Sequence, residues 1–270
     1  MNVTIAIPDN NLAEKLIPRY DDIKFQFDLK LLRVSETRVL DLLVSEKAQI
    51  ALISPFEYGK ALKKLDLRII PVNALSAISF TGFVDIILKS SLEKIENFII
   101  DSKWTYLGII AFILMKEKYN QHPVMNITLT PFQERDYDLI VTEHNVDNGI
   151  LNLDVSEEWY DLYEVPLPIY FWVCRAEENI NDIELIVKSL LGDKIESYKI
   201  KEEQLSEKNY YPREGQLLCD FSEEFHKSLD FVLQNLYFHQ FISDIPEIKI
   251  LGRDGGQLDS NIIKIDKIDI

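Results

Sequence analysis

The chain has 270 residues, of which 47% are hydrophobic and 27% are charged, a composition that can build a packed core and is unlike that of disordered chains. At roughly 150 residues per domain, the length predicts two domains or one large domain. Asp and Glu number 45 against 29 Lys and Arg, so the formal net charge is −16. A surface of that charge repels nucleic acid and anionic membranes, and we expect neither as a partner.

The cysteines and the N-terminal segment bear on the compartment. Cys174 and Cys219 are the only cysteines, too few for a disulfide framework, so we expect two buried free thiols. The first residues have neither the basic segment nor the long apolar segment of a secretory signal, and we expect a cytoplasmic protein. The longest apolar run, 106–115, is about half of the ~20 residues that span a bilayer, which predicts a buried helix.

The first 75 residues alternate between strand and helix patterns, which predicts an α/β lobe with a largely parallel sheet. The near-continuous apolar run 49–54 is typical of a strand covered on both faces. Asn11 and Ser35 are placed to begin helices. The strands are expected at 3–7, 24–29, 49–54 and 67–72, and the helices at 12–17, from Ser35 onward and from Pro55 onward.

The rest of the chain predicts a second α/β unit over 78–172, followed by helical segments at 180–204 and 221–238. A short strand is expected at 248–251, and the tail 257–270 suits self-association by strand addition, which would give a homodimer. Within the second unit, strands are expected at 84–88, 97–101, 126–129, 138–142 and 166–174, and helices at 105–118 and 157–163.

Four stretches between residues 45 and 175 carry a family resemblance through their order and spacing. They are Ala48–Tyr58, with its Ala-Leu-Ile-Ser-Pro core; Ile78–Ser90; Ile99–Thr105, an Ile-Asp-Ser turn before the apolar helix; and Asp138–Trp172, which ends in Leu-Pro-Ile-Tyr-Phe-Trp. Together they resemble the periplasmic-binding-protein-like enzymes of the futalosine route to menaquinone, chorismate dehydratase and dihydroxynaphthoate synthase.

The resemblance implies a two-lobed α/β fold of the type 2 periplasmic-binding-protein kind, with the ligand in a cleft between the lobes. Lobe 1 would combine residues 1–77 with 173–270, and lobe 2 would be 78–172. The implied function is binding of a small carboxylated metabolite, with elimination of water from chorismate in menaquinone biosynthesis. The implied enzyme class is therefore a carbon–oxygen lyase that uses no cofactor.

Three positions depart from the family's pattern. Ile86 stands where the dehydratase has a Ser after its Gly-x-Val strand, Gln49 replaces an Asp, and His144 ends the segment that matches the family's Ile-Gly-Asp. Two functions therefore stay open: a dehydratase-like enzyme with altered activity, or a non-catalytic protein of the same fold that binds a small anion.

The candidate ligand-binding residues follow predicted strands or begin predicted helices. Asn10 and Asn11 follow the first strand and Ser54 the third, at the sheet edge where α/β proteins bind ligands. Ser102 and Thr105 begin the apolar helix, whose N-terminal amides could hold an anion. The alternative for all of these residues is an ordinary turn or helix cap.

His144 and Asp85 are the candidate catalytic residues, because imidazole or carboxylate can accept a proton from an acidic C–H or O–H group. The alternative for His144 is a solvated loop residue. Trp104, Trp159 and Trp172 suit either the cleft lining or the aromatic core. The sequence has no HExxH motif, no Cys/His cluster and no phosphate-binding loop, so neither a metal nor a nucleotide cofactor is expected.

Overall fold

The computed structural model describes residues 3–62, 64–89, 95–128, 137–144, 152–178, 182–192, 195–202 and 212–252. Within these ranges the strands form two sheets. The strands are β1 (Val3–Pro8), β2 (Leu29–Val34), β3 (Ile50–Ile53), β4 (Leu67–Ser79), β5 (Val84–Leu88), β6 (Asn97–Asp101), β7 (Val124–Thr128), β8 (Leu139–Glu143), β9 (Asn152–Asp154), β10 (Leu167–Arg175), β11 (Ser197–Lys201) and β12 (Glu214–Leu218). The helices are α1 (Asn11–Glu14), α2 (Tyr20–Ile23), α3 (Glu36–Val44), α4 (Pro55–Ala61), α5 (Thr105–Glu117), α6 (Val155–Tyr163), α7 (Ile183–Leu191) and α8 (Glu223–Phe238), with a 3₁₀ turn at Ser102–Trp104 before α5.

The larger sheet has seven strands in the order β11-β12-β4-β10-β3-β1-β2. Strand β1 runs parallel to β2 and β3, whereas β10 is antiparallel to both β3 and β4, and β12 is antiparallel to β4 and β11. The expectation of a largely parallel sheet is therefore wrong. The first 75 residues supply the parallel part, and the antiparallel strands arrive from later in the chain, where no local pattern shows which sheet they join.

The smaller sheet has five strands in the order β7-β6-β8-β5-β9. Strand β6 is parallel to β7 and β8, and β5 is antiparallel to β8 and β9. Helix α5 is buried from Thr105 through Met115, as its apolar sequence predicts. A Cβ on Gly108 would lie 2.3 Å from Cγ2 of Ile100, so only glycine allows α5 to lie this close to β6.

Two connections join the sheets. Strand β4 stays in the larger sheet to Ser79, and residues 80–83 lead into β5. The chain returns after α6, and all of β10 from Leu167 onward pairs in the larger sheet. Residues 167–172 therefore belong to the larger sheet, whereas the sequence-based boundary assigns them to lobe 2, because an aromatic run does not show which of two sheets it enters.

Two segments differ from their predicted secondary structure. The strand expected at 24–29 is wrong: α2 is followed by turns, and the Phe25 side chain of the alternating pattern is 87% exposed. The helical pattern expected over 180–204 ends at Leu191, where Gly192 adopts φ +87°, and β11 follows as an edge strand. Short alternating runs do not separate strands from solvated turns until a partner strand is known.

Several other expectations concern features outside the sheets. Cys174 and Cys219 are buried free thiols, which confirms the prediction. Among the described residues, no helix has the length and apolarity needed to cross a bilayer. The tail 257–270, for which self-association was expected, lies outside the described residues.

Candidate functional site

A group of buried polar side chains lies where the larger sheet meets helix α5 of the other lobe. We call it the inner cluster, and it consists of Asn10, Glu36, Ser54, Tyr106 and Tyr170. The first three follow β1, β2 and β3, and β10 brings Tyr170 to the same sheet edge because it is antiparallel to β3. Parallel strands place their carboxyl ends on one edge, so residues distant in sequence converge there.

Asn10 has two roles in the inner cluster. Its Oδ1 accepts a hydrogen bond from Ala13 N at 2.9 Å, and its Nδ2 donates to the Tyr170 hydroxyl at 2.8 Å. Asn10 therefore caps α1, and the assignment of that cap to Asn11 is wrong. The extended backbone of Asn10 lets its short side chain reach back to the first helical amides, as N-cap residues do.

Glu36 is the most perturbed acid of the inner cluster. It is 3% exposed, and its Oε2 accepts from Tyr106 N, in the first turn of α5, at 3.2 Å. Its Oε1 is buried and accepts no hydrogen bond from any described residue. Burial raises the pKa of Glu36 to about 7, against the lowering effects of the Tyr106 amide and the nearby Ser54 hydroxyl.

A second buried carboxylate, Glu57, lies near Glu36. Its Oε1 pairs with Lys60 Nζ at 2.8 Å, and its Oε2 has no partner among the described residues. Burial raises the pKa of Glu57, and its charge further raises the pKa of Glu36. Ser54, the predicted binding residue, caps α4 by accepting from Glu57 N at 3.4 Å. The inner end of the interlobe contact is therefore negative in character.

The turn before α5 contains two of the predicted ligand-binding residues. Thr105 Oγ1 donates to Ser102 O at 2.9 Å, and Asp101 Oδ1 accepts from Lys103 N at 3.0 Å. Together with the Tyr106 amide on Glu36, these bonds leave the turn occupied by the chain's own groups. The contacts are those of a helix cap, and ligand binding by Ser102 and Thr105 stays a prediction.

The two predicted catalytic residues lie together at the adjoining edge of the smaller sheet. His144 Nδ1 is 2.7 Å from Oδ2 of Asp85, which is fully buried at the start of β5. The His144 side chain keeps 16% of its surface exposed and contacts Phe80 edge-on. Burial raises the pKa of Asp85 although the neighbouring imidazole lowers it. The pair has the geometry of a carboxylate that orients a histidine.

Arg213, just before β12, lies beside this pair. Its guanidinium stands 4.4 Å from the centre of the Phe80 ring, donates to Glu157 Oε2 at 3.2 Å and donates to Glu202 Oε1 at 2.8 Å. Glu157 belongs to α6, so the arginine ties the larger sheet to the element that follows β9. We call Phe80, Asp85, His144, Glu157 and Arg213 the outer cluster.

The lobes are also joined at the solvent-exposed edge of their contact. Asn11 Nδ2 donates to Glu143 Oε1 at 2.9 Å, and Lys103 Nζ pairs with Glu143 Oε2 at 2.8 Å. Further in, the Tyr106 hydroxyl donates to Pro168 O at 2.6 Å. These bonds and the burial of the inner cluster define a conformation in which the lobes are closed on each other.

Asp154, at the end of β9, holds the connection between the sheets. Its Oδ2 accepts from Gly82 N at 2.8 Å, from Thr81 N at 3.2 Å and from Thr81 Oγ1 at 3.1 Å. Its Oδ1 accepts from Ser156 N and Glu157 N, both at 3.0 Å, and so caps α6. The residue is fully buried, and burial raises its pKa to about 6. Gly82 adopts φ +64°, which glycine permits.

Two cavities stand out among the described residues, and both lie away from these clusters. One, of about 580 Å³, lies at the C-terminal end of α8 around Phe238 and Phe241. The other, of about 450 Å³, lies between α4 and the segment around Pro246. No group of three or more His, Cys, Asp or Glu side chains placed to hold a metal ion occurs in the described part of the chain.

The predicted site residues thus divide between two places. Asn10 and Ser54 join the inner cluster, Asp85 and His144 the outer one, and Asn11 lies at the exposed edge. The sequence analysis missed residues whose patterns have ordinary explanations. Glu36 is a first-turn acid of a helix, Tyr106 is part of an apolar run, Asp154 precedes a helix, and Arg213 follows a segment with no clear pattern.

No family model matches this chain, and no curated protein matches it. Solved structures do match. Protein AF1704 from Archaeoglobus fulgidus is 15% identical with a TM-score of 0.50, and the match covers 70% of this chain and 74% of that one. The periplasmic aliphatic sulphonate binding protein SsuA from Escherichia coli is 12% identical with a TM-score of 0.50, covering 70% of this chain and 71% of that one.

These likenesses, together with the two sheets, define the class of fold. The chain has the two-lobed α/β fold of periplasmic substrate-binding proteins, which confirms the predicted fold class. At identities of 15% and 12%, the likenesses concern the fold alone. The interlobe contact that holds both clusters corresponds to the place where this fold leaves a cleft when its lobes separate.

Proposed function

We propose that this chain is a small-molecule-binding protein whose two lobes close over one polar metabolite at the inner cluster. The observation that carries the proposal is the buried Oε1 of Glu36, which has no partner among the described residues in a contact otherwise built of paired polar groups. A buried polar atom without a partner costs about 1–3 kcal/mol, and a ligand would supply the missing hydrogen bond.

The closure contacts suit a reversible motion. Tyr106 bonds to Pro168 and Glu36, and Asn11 bonds to Glu143, whereas the connection 80–83 is held separately by Asp154. Opening would replace the first set by water and leave the Asp154 bonds intact. The similar fold of a sulphonate-binding protein supports binding of a small molecule between the lobes.

The first test is a ligand screen by thermal unfolding, followed by native mass spectrometry of any compound that stabilises the protein. A ligand at 100 times its Kd contributes about 2.7 kcal/mol, which corresponds to a rise in Tm of about 5–10 °C for a chain of this size. Tyr106→Phe removes the closure bond to Pro168 and should weaken binding about fivefold.

Tyr58→Phe is the matched control, because the Tyr58 hydroxyl donates to Glu247 O on the far side of α4 and should leave affinity unchanged. If folded protein is stabilised by no metabolite and retains none in the mass spectrometer, the proposed function is wrong.

A second candidate function is the dehydratase-like one, and the Asp85–His144 pair favours it. With the proton on Nδ1 held by Asp85, Nε2 of His144 is the basic nitrogen. It would remove a ring proton from chorismate while the hydroxyl leaves as water, forming an enolpyruvyl benzoate. Asn10 and Thr105 would hold the carboxylates. The proposal includes menaquinone biosynthesis, a cytoplasmic setting and no cofactor.

Chorismate consumption by the purified protein, followed by liquid chromatography, tests this second function. His144→Ala should lower the rate about 10²–10⁴-fold, the usual contribution of a general base. His122→Ala, at an exposed position, should leave it unchanged. Chorismate that persists at high protein concentration rules the reaction out and leaves the binding function standing.

A further inference from the structure

The inner cluster contains an acceptor that lacks a donor. Asn10 Nδ2 donates to Tyr170, the Tyr106 hydroxyl donates to Pro168 O, and the Tyr106 amide donates to Glu36 Oε2. The donors with described bonds are therefore already engaged, whereas Glu36 Oε1 accepts nothing from the described residues. A molecule that completes this arrangement must donate a hydrogen bond.

We infer that the ligand carries a cationic N–H donor, such as a primary ammonium group, which binds Glu36 Oε1. This inference rests on the proposed function and names the chemical class of its ligand. A charge-assisted hydrogen bond to a buried carboxylate is stronger than one from a neutral donor. The formal net charge of −16 also attracts cations to the molecule.

A carboxylate group fits the inner cluster poorly. The amides at the start of α5 that would bind an anion already bond to Asp101 and Glu36. A ligand carboxylate placed there would also face the charges of Glu36 and Glu57, which lie close enough to raise the pKa of Glu36. Lys103 and Arg213 lie further out, so a zwitterion would bind with its ammonium group inward.

An organic ammonium suits the surroundings better than a hard metal ion. Tyr106 and Tyr170 lie near enough to Glu36 for its charge to raise their pKa values, and aromatic rings attract ammonium groups. Ca²⁺ takes about 6–8 oxygen ligands, and Mg²⁺ demands near-ideal octahedral geometry. The inner cluster offers Glu36 Oε1 beside hydroxyl groups, one of which is bonded to Pro168 O.

Isothermal titration calorimetry of the full chain at pH 8 tests the inference. The probes are ethanolamine, putrescine, agmatine and the free amino acids, compared with acetate, succinate and benzoate and with CaCl₂ and MgCl₂. We expect an amine or an amino acid to bind. Glu36→Gln should weaken that binding about 100-fold, because it removes one partner of a buried charge pair.

Glu158→Gln is the matched control, since Glu158 is equally buried but its carboxylate bonds to Tyr119 and Lys118. It should leave the affinity unchanged. Binding of carboxylates without amines, or of a metal ion that depends on Glu36, overturns the inference and leaves the proposed function standing. If no probe binds and the wider metabolite screen also finds nothing, both are wrong.

Discussion

Asp154→Ala should lower the free energy of unfolding by about 3 kcal/mol, among the largest effects expected from one substitution in this chain. The five donors that Asp154 accepts, from Thr81, Gly82, Ser156 and Glu157, would lose their acceptor in a buried place. Each buried donor left unpaired costs about 1–3 kcal/mol. Removal of a carboxylate whose pKa burial raises to about 6 offsets part of that loss.

Thermal and urea unfolding measure this effect, and a loss of 3 kcal/mol corresponds to a fall in Tm of about 6–12 °C for a chain of this size. Asp101→Ala is the matched control, because Asp101 accepts only from Lys103 N and its loss should cost about 1 kcal/mol. Equal losses in the two variants would mean that Asp154 is an ordinary helix cap and does not hold the connection at Thr81 and Gly82.

The regular elements were predictable where one property dominates a stretch. Helix α5 follows from an apolar run too short for a membrane, and β3 follows from an apolar run bounded by Pro55. The segment 24–29 shows the limit of this reasoning. Its alternation matches a half-buried strand, but Phe25 is exposed because no neighbouring strand pairs with that segment.

The candidate site was predictable only where it follows the topology of the sheet. Asn10 and Ser54 were found because they follow strands whose carboxyl ends share one edge. Asp85 and His144 were singled out by the family alignment and by their chemistry. The distance of 2.7 Å between them depends on the pairing of β5 with β8, which neither local sequence specifies.

Glu36 could not be predicted as a site residue for a physical reason. Acidic residues in the first turn of a helix normally face solvent and interact with the helix dipole. Here α5 of the other lobe covers that turn, and its Tyr106 amide bonds to the carboxylate. Burial of Glu36 is thus a consequence of how the two lobes meet.

Glu36→Gln should stabilise the ligand-free protein at pH 8 by about 2 kcal/mol and change it little at pH 4.5. Burial raises the pKa of Glu36 from 4.5 to about 7, so the folded chain retains a proton that the unfolded chain releases between those pH values. Stability from this group is complete below pH 4.5 and is lost as the pH rises through 7. A shift of about 2.5 units corresponds to about 3 kcal/mol, and the unpaired Gln amide offsets about 1 kcal/mol.

Urea unfolding of both proteins from pH 4.5 to 8.5 gives the difference curve, in which the contributions of other groups cancel to first order. Asp154, whose pKa is also raised, is present in both proteins, and so are Glu57 and Lys60, the charged pair near Glu36. Glu184→Gln, at an exposed position of α7, should give a flat difference curve. A flat curve for Glu36→Gln as well would mean that Glu36 is solvated and that the lobes stand open in solution, because only closure against Tyr106 buries its carboxylate.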